Sequence, residues 1–216
     1  MASGATAKRV RPYQSPKRQQ QARRTRRQIL AVATEQFRAL GYAGTTMSAI
    51  AAAAGVSVPT VELAFGTKAS LLKEVIDVAI AGDDEPVPVL ERPWAAQIQQ
   101  ATTAEQFLAQ VAGVLVAAAE RSDALVLAAF EAARSDERLA PLAAQLKAQR
   151  AVTAGWIVDG IAARAPLRTD RAHAIDTLWL LMDPAVFDRL TADRGWTARR
   201  FGAWFADSAL RLLAEQ

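Results

Sequence analysis

The sequence predicts an all-α fold, and three observations carry that prediction. Of the 216 residues 51% are apolar, with Ala and Leu prominent and runs of β-branched residues scarce, a composition that favours helix over sheet. Apolar residues recur at helical spacing, as at Ile29, Ala33, Phe37 and Leu40. Residues 46–65 read as two short helices around a tight turn. The length allows one domain of moderate size or two small ones.

Residues 1–22 lack hydrophobic periodicity, contain Pro12 and Pro16, and are expected to form a flexible basic arm. Residues 1–28 carry nine cations (Lys8, Arg9, Arg11, Lys17, Arg18, Arg23, Arg24, Arg26 and Arg27) and no carboxylate. The whole chain is +4, so the remaining residues sum to −5 and the basicity belongs to the arm. A first helix is expected from about Ala22 to Leu40, stopped by Gly41. Thr46 can cap a second helix that buries Ile50 and Ala51, and Gly55 supplies a left-handed turn position. Ser57 caps a third helix, with Pro59 in the first turn, where a missing N–H is harmless. Thr67 caps a fourth, burying Leu71, Leu72 and Val75 before Gly82. Ile29, Phe37, Ile50, Val56, Val61, Phe65 and Leu72 are the expected core of this unit.

Two short helices around such a turn place the second in the major groove of DNA. Residues 23–83 therefore read as a DNA-binding domain with its helix-turn-helix at 46–65. Arg23, Arg24, Arg26 and Arg27 are expected phosphate contacts, since each neutralised phosphate releases counterions. Thr45, Thr46 and Ser48 join them at the second helix, and Ser57, Val58, Pro59, Thr60 and Glu62 on the third. Val58 and Pro59 can meet a thymine methyl and Thr60 can hydrogen-bond, while Glu62 either accepts from a cytosine amino group or repels phosphate. Lys68 opposes the dipole in the first turn of its helix, an arrangement that suits an outside phosphate.

About sixty residues of this region resemble the TetR family of transcriptional regulators. The resemblance rests on Thr25-Arg26-Arg27-Gln28-Ile29-Leu30, Phe37, Gly41-Tyr42, Thr45-Thr46-Met47 and Ile50-Ala51. It continues through Ala54-Gly55-Val56-Ser57, Thr60, Phe65-Gly66-Thr67-Lys68 and Leu71-Leu72. It implies an operator-binding homodimer paired through its last two long helices, with an effector in the C-terminal domain whose binding spreads the two heads. The family usually carries Tyr where this chain has Glu62 and often His where it has Ala64, residues that touch DNA phosphates there.

Residues 84–216 read as a larger helical effector-binding and dimerisation domain, entered through the acidic, proline-broken stretch Asp83-Asp84-Glu85-Pro86-Val87-Pro88. Helices are expected near 95–120, 123–134, 137–163, 170–190 and 198–214, with Ser122-Asp123 punctuating the first two and the fourth kinked or broken at Asp183-Pro184. Trp94, Phe107, Val111, Leu115, Phe130 and Trp156 are candidate walls of an apolar cavity for a small apolar effector, with Arg134, Asp159 and Asp183 as possible anchors. Phe201, Trp204, Phe205 and Leu212 give the last helix more apolar surface than one-sided packing needs, and are the expected dimer interface.

Catalysis is not expected. There is no cysteine and a single histidine, His173, so thiol chemistry and His-rich metal sites are absent from the reading. No Gly-x-Ser-x-Gly occurs, and Gly66-Thr67-Lys68 lacks the upstream glycine spacing of a phosphate loop. No catalytic residue, metal or cofactor is expected. No apolar run approaches the roughly 18–20 residues that span a bilayer, so the expectation is a cytoplasmic protein with no membrane partner. Two function classes follow: a ligand-responsive DNA-binding transcriptional regulator, foremost a repressor released from its operator by a small molecule, or a helical DNA-binding protein whose C-terminal domain only dimerises or binds a protein, with no effector.

Overall fold

The computed structural model describes residues 16–215, and among these the fold is helical throughout, with one isolated bridge between Leu167 and Ala214. The helices run α1 (Pro16–Gly44), α2 (Met47–Ala53), α3 (Val58–Phe65), α4 (Lys68–Ala81), α5 (Pro93–Ile98), α6 (Ala104–Ala132), α7 (Ala140–Ala162), α8 (Arg171–Leu181), α9 (Pro184–Asp188) and α10 (Ala198–Leu213). The first helix begins at Pro16, ahead of the expected start at Ala22, so the arm foreseen over 1–22 is helical from residue 16. Its earlier cations, Lys8, Arg9 and Arg11, lie outside the described residues. The regular part of α1 ends at Gly41, whose φ of 65° only glycine adopts cheaply.

Side-chain caps set the next three helices. The Thr46 hydroxyl accepts from the Ala49 N–H at 3.1 Å, Ser57 from Thr60 at 3.3 Å, and Thr67 from Ser70 at 3.1 Å. Each satisfies an amide that the helix start would otherwise leave open. Gly55, at φ 64°, turns the chain so that α2 and α3 are bent by 109°, the helix-turn-helix angle. No single helix among the described residues is long and apolar enough to cross a membrane. Ile29, Phe37, Ile50, Val61, Phe65 and Leu72 are buried together in this head, and Val56 is half-buried at its edge. Leu40, expected on the buried stripe, is exposed.

The head's core does not stop at α4. Leu125, Val126 and Ala129 of α6 pack into it, as do Leu139, Leu142 and Leu146. The other half of α6 belongs to a second core, where Phe107, Leu108 and Val111 meet Ile157, Ile161, Leu178, Phe201 and Phe205. One helix therefore threads both cores. Its continuity corrects the break expected at Ser122-Asp123: the Ser122 hydroxyl donates back to the Ala118 carbonyl at 2.9 Å within the helix, instead of capping a new one. Arg121, beside it, donates to the carbonyls of Ala79 at 2.8 Å and Ile80 at 3.2 Å, and Arg38 donates to its carbonyl. The α6 backbone is thus tied to α1 and to the end of α4.

The remaining segmentation is finer than expected. The stretch near 95–120 splits into α5 and α6, the latter restarted by the Thr103 cap on Gln106 at 3.2 Å. The fourth expected helix does break at Asp183-Pro184, where the Asp183 carboxylate caps Ala185 at 2.9 Å. Inside the second core, Gly160 of α7 lets Phe107 lie against the backbone, since a Cβ there would fall 2.1 Å from the ring.

The proposed dimer residues need correction here. Phe201 and Phe205 are 1% and 0% exposed, closed into their own chain's core. Trp204 is half-buried, its ring edge-on to Trp196 at 6.0 Å. Of the four, Leu212 alone stands out, at 53% exposure, and the sequence reading missed Leu180 of α8, at 61%. An amphipathic final helix explains the difference: its aromatic residues serve the interior, and few are surplus.

Candidate DNA interface and effector cavity

On the outer surface of the head, Thr46, Ser48, Ser57, Pro59 and Glu62 are exposed and Val58 and Thr60 half-buried around α2 and α3. Thr45 is not on this surface. It is fully buried, its hydroxyl donating to the Gly41 carbonyl at 2.8 Å and Gln36 at 3.1 Å, so it holds the turn after α1. Leu63, which the sequence reading left out, is 91% exposed on α3. Its one signal was position: it directly follows Glu62 and falls off the Val61–Phe65 stripe. No cation occurs between Arg38 and Lys68, so α2 and α3 bring no positive charge of their own.

The four α1 arginines expected to meet phosphate, Arg23, Arg24, Arg26 and Arg27, divide into two kinds. Arg23 and Arg24 are exposed and form no ion pair among the described residues. Arg26 binds Glu74 of α4 at 2.6 Å and covers the Phe65 ring at 4.6 Å. Arg27 makes a two-pronged contact with Asp84 at 3.0 and 3.3 Å, and its guanidinium holds that carboxyl below the usual range. Lys68 also turns inward: its ammonium donates to the carbonyls of Tyr42 at 2.8 Å and Thr45 at 2.9 Å, and sits 4.0 Å from the Tyr42 ring. Burial lowers its pKa. Two of its three donors satisfy carbonyls at and just past the end of α1, so its first role is to brace that turn.

A helix-turn-helix with this capping and a basic lead-in helix is built for duplex DNA, and its sequence has a clear kinship. Residues 29–75 match the sequence model of bacterial regulatory proteins of the tetR family. The head is a TetR-family DNA-binding domain. The complete fold has solved counterparts. A protein from Saccharomonospora viridis in complex with choline is 16% identical with a TM-score of 0.66, over 90% of this chain and 100% of its own. FadR from Bacillus subtilis, in complex with stearoyl-CoA, is 20% identical with a TM-score of 0.67, over 86% and 98%. NalD of Pseudomonas aeruginosa, the secondary repressor of the MexAB-OprM multidrug efflux pump, is 18% identical with a TM-score of 0.62, over 90% and 99%. No curated protein matches the chain. A TetR-type head on a helical body is the build of a transcriptional regulator.

The helical body that follows this TetR-type head is hollow. A cavity of about 1250 Å³ lies between the linker 83–91, α4, α6, α7 and the start of α9. Trp94, Val111, Leu115, Phe130 and Trp156 line it, the two indoles meeting edge to face at 6.1 Å. Phe107, expected beside them, does not: it is fully buried behind Trp156, with ring centres 5.6 Å apart, against Gly160. Among the suggested anchors only Asp183 reaches the cavity. Asp159 pairs with Arg171 at 2.7 Å on the surface, and Arg134 borders a separate hollow of about 330 Å³.

The cavity's polar wall holds residues that sequence reading did not single out. Arg150 of α7 binds Asp183 at 2.8 Å and lies 3.9 Å over the Trp179 ring, with its side chain 9% exposed. Its buried Nε–H has no acceptor among the described residues. Facing this pair, Asp123 of α6 has its carboxyl pushed up to about 7, first by burial and then by the negative charge of Asp183, with Arg150 working against both. Asp123 lies one heptad before Phe130 and thus on the same face of α6. Taking Ser122-Asp123 for a helix boundary hid that relation.

Proposed function

We propose that this chain is a ligand-responsive repressor of the TetR family, acting in the cytoplasm as a homodimer on a two-half-site operator. Thr46, Ser48, Ser57, Val58, Pro59, Thr60 and Glu62 would face the major groove. Arg23 and Arg24 would supply phosphate contacts, and Arg26 and Arg27 would do so on leaving their carboxylates. Dimerisation would join α8 and α10 around Leu180 and Leu212. The observation that carries the reading is the path of α6: from Val111 to Phe130 it walls the cavity, and within that span Leu125, Val126 and Ala129 are packed among α1–α4. A ligand bound better by the DNA-free arrangement shifts the head through that helix by its differential affinity for the two states.

The linker offers a second route. Asp84 belongs to the cavity rim and holds Arg27, while Glu74 and Arg26 also border the cavity. Ligand contact with this wall therefore bears on arginines adjoining the DNA. The test uses an operator selected from random duplexes by the purified protein, with binding followed by fluorescence anisotropy. A compound that quenches Trp94 and Trp156 should release the operator and raise the melting temperature. Cavity binding that leaves operator affinity unchanged would refute the coupling.

A further inference from the structure

The polar wall of the cavity also restricts which ligands fit, an inference that rests on the effector reading above. Three groups meet there: Asp123 from α6, Arg150 from α7 and Asp183 at the start of α9, with Asp188 close enough to act on Asp123. Arg150 is already matched by Asp183 and stacked on Trp179. Asp123 forms no ion pair of its own among the described residues, Arg150 being paired with Asp183. An anionic ligand would add a further carboxylate to a wall where one guanidinium already faces Asp123 and Asp183. A cationic ligand would complete the set, one positive charge for each of the two nearest carboxylates. The electrostatic balance favours the cation, and more strongly for being out of water.

The rest of the cavity agrees. The indoles of Trp94 and Trp156 offer the rings over which organic cations settle. Val111, Leu115 and Phe130 provide apolar surface for the remainder of the molecule. Glu85 and Glu91 of the linker border the same space without forming an ion pair among the described residues. The buried Nε–H of Arg150, short of a protein acceptor, can be met by a ligand oxygen or ring face. From these positions we infer that the effector is an organic cation with a largely apolar body, its charge seated beside Asp123. The volume, about 1250 Å³, exceeds the roughly 300–1,000 Å³ of common small-molecule sites, so a bulky cation is accommodated.

Tetraphenylphosphonium and tetraphenylborate form a matched pair, nearly equal in shape and opposite in charge. Binding of each to the full-length protein is followed by tryptophan quenching and calorimetry. The cation should bind about tenfold or more tightly than the anion, and Asp123→Asn should remove most of that preference. Because the cation favours the ionised carboxyl, its affinity should rise with pH up to about 7 and then level off, and Asp123→Asn should flatten that profile. Melting curves check that the variant is folded. Equal affinity for the two probes, tighter binding of the anion, or an unchanged preference in Asp123→Asn would overturn the inference while leaving the effector reading standing. Cation binding that is lost in Asp123→Asn yet never moves operator affinity would support the site and refute the effector reading.

Discussion

The head and the body of this molecule solve opposite packing problems. The head is filled: Ile29, Phe37, Ile50 and Leu72 are essentially without solvent exposure, and its turns are closed by Thr46, Ser57, Thr67 and Lys68 on backbone groups. The body is packed on one side, around Phe107, Phe201 and Phe205, and hollow on the other, with a carboxyl in the wall. A filled, capped unit resists internal change and moves as a piece, because close-packed interiors transmit displacement. A hollow one has free energy to gain from a ligand. On the function proposed above, the division assigns rigidity to the part that meets DNA and adaptability to the part that senses.

The largest expected effect tests the packed side of the body. Phe205→Ala should cost about 3–5 kcal/mol in chemical denaturation, as for other fully buried aromatic truncations. Leu212→Glu, on the exposed face, should leave monomer stability within about 0.5 kcal/mol yet shift the protein toward monomer in sedimentation. If Phe205→Ala dissociated a dimer without lowering stability, the assignment of the aromatic residues to the interior would be wrong. Next comes Gly160→Ala, whose methyl would intrude on the Phe107 ring and should destabilise by about 1–3 kcal/mol. A neutral result would mean that Phe107 can move aside and that this side is looser than its burial suggests.

Asp123 separates the hollow side from the filled one. Burial pushes its carboxyl up to about 7, well above the ordinary carboxylate range, so the folded state holds its proton to higher pH than the unfolded chain. The stability this gives is complete below the unfolded value and is lost as pH rises toward 7. Asp123→Asn should therefore remove a fall in melting temperature between about pH 4 and 7 and exceed the wild type above pH 7. Melting profiles of the two proteins that run parallel through that window would place Asp123 in water.

In the head, Lys68→Ala should cost about 1 kcal/mol by releasing two carbonyls, with the salt dependence of DNA binding little changed. A salt slope lower by about one unit would instead make Lys68 a phosphate contact. The smallest effect concerns the arginines. Replacing Arg23 and Arg24 together should lower the slope by about two units, whereas Arg27→Ala should lower it less, since Asp84 already holds that side chain.

These positions also show what sequence could reveal. Hydroxyl caps and left-handed glycines are local, so the helix-turn-helix was legible from Thr46, Gly55 and Ser57 alone. Helical periodicity likewise disclosed the all-α fold, and five of the six residues named as candidate cavity walls lie along the hollow of the body. What periodicity does not contain is the partner of each apolar face. Phe201, Phe205 and Phe107 have the spacing of an interface or a cavity wall, and only tertiary packing turns them inward. Lys68, Arg26 and Arg27 turn inward for a related reason: their carbonyl and carboxylate partners lie across the fold, from the end of α1 to the linker, whereas Thr45 is held locally by the Gly41 and Gln36 carbonyls. Asp123 was obscured by a local signal, a Ser-Asp pair that resembles a cap and lies instead in mid-helix.

The direct test of a rigid head governed by a hollow body is linkage. For any compound that quenches Trp94 and Trp156, its affinity is measured for the free protein and for the operator complex. Binding should be weaker on the complex by the same factor by which the compound weakens operator binding, because coupling between two sites is reciprocal. Equal affinity in the two states, across compounds that fill the cavity, would contradict the account.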